Sequence, residues 1–111
     1  MDQENSPTST DYEFLRRREL WMRELIRQRT LGEWPRVVGI YLALRMSEKR
    51  PYAWPGQKRM AEDLDCDRNT IGRAILKLRR EGWILATNEK LGDDAKKDSR
   101  SYTYTIRIPI L

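Results

Sequence analysis

The sequence predicts a mostly α-helical domain closed by a small β-hairpin, an α+β arrangement carrying one extra helix at its N-terminal side. Three observations predict it. Apolar residues recur at helical spacing in three separate stretches before residue 82. Asp65-Cys66-Asp67 breaks the last of these at a corner too short for anything but a sharp turn. Residues 101–108, SYTYTIRI, alternate with period two, the pattern of a half-buried strand.

Residues 1–10, MDQENSPTST, are polar, turn-rich and acidic, and are expected to be a disordered tail. Ser9 or Thr10 then suits the cap of an amphipathic helix that occupies most of residues 11–31 and runs to about Arg29. Phe14, Trp21 and Leu25 make one stripe on it, with Leu15, Met22 and Ile26 beside it. The other face is dense in arginine. A lone helix of this length is marginal in water, so its stripe needs a surface to cover. That surface is either its own domain or a second subunit. The second alternative makes Phe14, Leu15, Trp21, Met22, Leu25 and Ile26 a dimerisation set.

Thr30 to Glu33 read as a break, and residues 34–111 as the main domain. Pro35 suits the first turn of a helix. Trp34, Val37, Val38, Tyr41, Leu42 and Leu44 make that helix largely buried, to about Glu48. Tyr52-Ala53-Trp54, short, apolar and bounded by prolines, fits a one-bridge strand at a sheet edge. Pro55 then opens a helix with Met60, Ala61 and Leu64 facing inward, and Ala61 allows a close helix crossing.

Asp67 is a good N-cap for the next helix, because its carboxylate can accept from backbone N–H groups in the following turn. Ile71, Ala74, Ile75 and Leu78 form the inner face of that helix, residues 68–81, and Gly82 supplies the residue that ends it. Asn69, Arg73, Leu76, Lys77 and Arg80 lie opposite. Two helices about a tight corner, the second basic outward and apolar inward, are the build of a helix-turn-helix. Residues 83–87 are β-prone. With 101–108 they make a hairpin, with Tyr102, Tyr104, Ile106 and Ile108 on one face and Thr103, Thr105 and Arg107 on the other. The polar loop between the strands is then a wing.

Residues 35–85 resemble the winged-helix domains of bacterial, phage and plasmid regulators and replication proteins. The resemblance rests on Pro55, Met60-Ala61, Leu64, Arg68, Thr70-Ile71, Ala74-Ile75, Leu78 and Gly82, which are specific as a set. The replication-protein type is the closer likeness. GntR-type regulators are a second, although these usually carry arginine where this chain has Gly72.

Composition points the same way. The 111 residues carry a net charge of +5, which favours an anionic partner. Asparagine pairs in two places with adenine and arginine with guanine when a helix fits the major groove. Arg68, Asn69, Thr70, Arg73 and Lys77 are therefore the candidate base readers. Gln57, Lys58 and Arg59 at a helix start, Arg80, and the wing residues Lys96, Lys97 and Arg100 are candidates for the phosphate backbone. Asp93, Asp94 and Asp98 cancel much of the wing's charge. With no histidine and one cysteine, a zinc site and a cofactor are not expected, and no catalytic constellation or ligand domain appears. No apolar run spans a membrane and no signal peptide is evident, so a cytoplasmic, nucleoid-associated location is expected.

The expectation is sequence-specific binding of double-stranded DNA by a small, dimeric transcriptional regulator that places helix 68–81 in the major groove. The rivals are a DNA-binding factor in phage or plasmid replication or segregation, and a winged helix that holds a protein partner.

Overall fold

The computed structural model describes residues 9–87 and 102–107. Four helices precede a two-stranded antiparallel hairpin: α1 (Ser9–Ile26), α2 (Glu33–Leu44), α3 (Gln57–Leu64) and α4 (Arg68–Arg80), then β1 (Ile84–Thr87) and β2 (Thr103–Ile106). A 3₁₀ turn, Arg29–Leu31, joins α1 to α2 and buries Leu31. This is the mostly α arrangement with a small sheet that the sequence predicts for a winged helix-turn-helix. Ser9 and Thr10, assigned to the tail, already belong to α1. Residues 1–8, and with them most of that tail, lie outside the described residues.

Asp65 makes the corner between α3 and α4 by adopting a left-handed conformation, φ 57°. An aspartate tolerates that region better than most residues. Cys66 N–H then donates to the Ala61 carbonyl at 3.0 Å, which turns the chain into α4. Gly82 takes φ 82° after α4, and Trp83 N–H returns to the Leu78 carbonyl at 2.9 Å. Such a C-terminal turn needs the positive φ that glycine adopts without strain.

In the hairpin Ile84 faces Ile106 and Ala86 faces Tyr104. Ala53 and Tyr104 exchange backbone hydrogen bonds at 2.9 and 2.7 Å, so Tyr52-Ala53-Trp54 adds the expected one-bridge edge on the other side of β2. Thr103, placed by alternation on the polar face, is buried.

The largest difference from the sequence reading concerns α1. Phe14, Trp21 and Leu25, the core of the candidate dimerisation set, are buried in the chain's own domain, the first of the two alternatives. Leu15 and Ile26 are exposed, whereas Met22 is half-buried. The cause is a close helix crossing at Gly39 of α2. A Cβ built there would stand 3.2 Å from the Trp21 ring and closer still to Leu25. Trp21 also packs edge-on against Trp83, ring centres 6.0 Å apart, a favoured aromatic geometry. Its indole N–H reaches two hairpin carbonyls, those of Trp83 at 3.1 Å and Arg107 at 2.6 Å.

A second correction concerns α2. It ends at Leu44, not near Glu48, because the Arg18 guanidinium takes the Met46 carbonyl at 2.8 Å and a Ser47–Arg50 turn closes the chain there. Nor is α2 buried all round. Val38 and Leu42 are in the core, but Trp34, Val37 and Leu44 are exposed by 36%, 42% and 61%. Packing against α1 and α4 leaves its third side uncovered among the described residues.

Candidate nucleic-acid interface

The start of α4 is fixed by Asp67. Its Oδ1 accepts from the Thr70 backbone N–H at 2.8 Å. This bond, with help from the Thr70 hydroxyl, holds the Asp67 carboxyl below the usual carboxylate range. Capping of this kind satisfies one of the donors a helix start leaves unpaired. Ile71, Ala74, Ile75 and Leu78 are all buried, so packing sets the rotation of α4. The helix RNTIGRAILKLRR carries five basic residues and no acidic one.

Its outward face divides into two grooves. The first, about 530 Å³, is lined by Gln57, Arg68, Asn69, Gly72, Arg73 and Leu76. It gathers three of the expected base readers, Arg68, Asn69 and Arg73, all exposed. Gly72 forms part of its floor. A Cβ there would lie 3.4 Å from the Gln57 amide oxygen, at the edge of ordinary contact. Packing therefore does not demand a glycine, and the missing side chain leaves the groove open. Gln57 itself hydrogen-bonds the phenol of Tyr104, which burial pushes up to about 12. Its side chain is thus tied to β2 at the groove wall.

The other expected residues fall differently. Thr70 is half-buried and serves the cap. Lys77 is half-buried and pairs with Glu81 at 3.2 Å. Lys58 is exposed at the start of α3. Arg59 is drawn to Asp63 at 3.3 Å, a carboxylate that also accepts from the Tyr41 hydroxyl of α2 at 2.6 Å. Arg59 is therefore turned toward α2. Lys96, Lys97 and Arg100 lie outside the described residues.

The second groove, about 340 Å³, runs between α4 and the hairpin, with Leu76, Arg79, Arg80, Leu85, Ala86 and Arg107 on its walls. Arg80 was expected to face the backbone of a nucleic acid, but Arg79 and Arg107 were not among the candidates. Arg79 stacks over the Tyr102 ring, 5.4 Å from its centre, a contact that orients its guanidinium. The signal for Arg79 is its spacing of three from Leu76 and seven from Gly72, which puts all three on one row. For Arg107 it is the strand alternation.

Residues 36–84 match the family model of a helix-turn-helix domain. The match takes in α2 from Arg36 onward, α3, α4 and the first residue of β1, a little under half of the chain. No curated protein and no solved structure matches the sequence. A helix-turn-helix domain implies DNA binding, and the exposed basic face of α4 lies within the matched residues. No helix among the described residues is long and apolar enough to cross a membrane.

Proposed function

We propose that the chain is a small transcriptional regulator that binds double-stranded DNA sequence-specifically, with α4 in the major groove. One observation carries this reading. Arg68, Asn69 and Arg73 surround an open groove over Gly72, on a helix with no acidic residue. Arginine and asparagine have the donor and acceptor geometry to pair in two places with guanine and adenine. Arg79, Arg80 and Arg107 in the second groove and Lys58 on α3 serve the phosphate backbone, which positions the helix without reading sequence.

The test is selection of preferred duplexes from a random pool by the purified chain, followed by Arg73→Ala on the selected site. The expected loss is about 1–3 kcal/mol, with preference flattened at one base pair. A pool that never converges would overturn sequence-specific reading. If Arg73→Ala weakens selected and random duplexes by the same factor, Arg73 contacts phosphate only. A footprint over promoters supports regulation, whereas clustered repeats at an origin would move the function to replication or segregation.

A further inference from the structure

We propose that the face of α2 left uncovered among the described residues joins two copies of the chain about a two-fold axis. A helix that is apolar all round is ordinarily a buried helix. From Trp34 to Leu44 the only charged residue of α2 is Arg36, yet Val37 and Leu44 are among its most exposed side chains. With Ile40, Tyr41, Ile26 and Leu64 they line a mainly apolar groove of about 540 Å³, to which Glu33 and Arg36 also contribute. It shares no lining residue with the α4 grooves.

The charges at its two ends identify the occupant as a second copy. Glu33, Val37 and Tyr41 stand four residues apart and form one ridge on α2, which Arg45, the residue just past the helix end, continues. An acid heads this ridge, a base ends it, and apolar side chains lie between. Arg45 is held over the Tyr41 ring, 5.0 Å from its centre, so its guanidinium stays with the ridge. Ridges with this spacing interdigitate in the commonest mode of helix packing. When two such ridges meet antiparallel about a two-fold axis between Val37 and Tyr41, each Glu33 comes to the partner's Arg45. The surface is thereby self-complementary, as a two-fold interface requires. Val37, Ile40 and Leu44 supply the apolar centre. This inference rests on the DNA-binding reading only for its purpose, which is to present two α4 helices to two half-sites.

The test uses sedimentation equilibrium of the full chain. A dimer is expected, and Leu44→Glu should raise its dissociation constant by roughly tenfold or more. Leu44 is mostly in solvent, so the variant should keep its circular dichroism spectrum. Glu33→Arg and Arg45→Glu should each weaken the dimer, and the two together should restore it. Charges that merely suit the helix dipole would instead make the double variant worse than either single one.

A parent chain that stays monomeric at every concentration would overturn the inference, as would a dimer indifferent to Leu44→Glu. So would a monomer whose melting temperature falls in Leu44→Glu, since the face would then be covered by the same chain. A monomer that still binds duplexes defeats this inference and leaves the DNA reading standing. A dimer that binds no duplex does the reverse.

Discussion

The indole N–H of Trp21 donates to the carbonyl oxygen of Arg107 at 2.6 Å, and this contact ties α1 to the far strand of the hairpin. The same N–H meets the Trp83 carbonyl where the chain leaves α4. The N-terminal helix therefore sets the angle between the hairpin and the helix-turn-helix, although it lies outside the helix-turn-helix match.

Trp21→Phe retains the ring contact but removes the donor, which leaves the Arg107 carbonyl without its indole partner. The Trp83 carbonyl keeps the Arg107 backbone N–H at 2.8 Å. A cost of about 1–3 kcal/mol is expected, as for buried polar groups left unpaired, and urea denaturation measures it. Removing residues 1–29 should unfold the protein, because Trp21 and Leu25 leave the core together. A cooperative melt of the truncated chain near the parent temperature would show that α1 is dispensable.

Gly39→Ala should destabilise the protein, against the usual trend. In a helix, alanine is favoured over glycine by about 1 kcal/mol. Here the new methyl would collide with Leu25 and press on the Trp21 ring, and overpacking of a filled core costs about 1–3 kcal/mol. Leu25→Ala in the same chain makes room for it, so the double variant should lose less than the two single losses added together. A full additive loss would mean that the crossing at Gly39 adjusts elsewhere.

Asp67→Ala should lower the melting temperature, while Asp67→Asn, an equally good cap, should leave most of it intact. The capping bond holds the folded carboxyl below its unfolded value. Its contribution is therefore complete above the unfolded pKa and disappears as the pH falls through the folded one. The gap between parent and Asp67→Ala should accordingly narrow in acid. A gap independent of pH would show that Asp67 stabilises α4 by some means other than its charge.

Binding to duplex DNA should weaken linearly on a plot of log affinity against log salt. The expected slope is about −0.9 for each phosphate neutralised. Lys58→Ala should make that slope shallower without changing sequence preference, and so should Arg79→Ala. Affinity that ignores salt would remove the electrostatic basis of the site.

The helix-turn-helix was legible because its signals are local. Asp67, the corner at Asp65, the inner face of Ile71 to Leu78 and Gly82 each act within a few residues, and the structure keeps all of them. The one-bridge strand at Ala53 was legible from its prolines. Periodicity, however, reports that a face is apolar without naming what covers it. The stripe of α1 therefore looked equally suited to a second subunit and to its own domain. Gly39, read in sequence, is an ordinary helix residue, and only the approach of Leu25 shows why it is small. The same blindness made α2 look largely buried, since an apolar residue such as Leu44 carries no mark of its exposure. Arg79 and Arg107 join one groove only once α4 and β2 are placed side by side.

The acceptors of the Trp21 indole lie 62 and 86 residues further along the chain, which has a consequence for the kinetics of folding. The contacts within the helix-turn-helix span short loops and can form early. Closing a longer loop loses more entropy before any contact rewards it, so distant pairings tend to form late. The docking of α1 against the hairpin should then follow the rate-limiting step. Interactions absent from the transition state govern unfolding more than folding. Trp21→Phe should thus shorten the lifetime of the native state while hardly slowing its formation. Stopped-flow rates in both directions would show the indole as a latch, fastened last and released first.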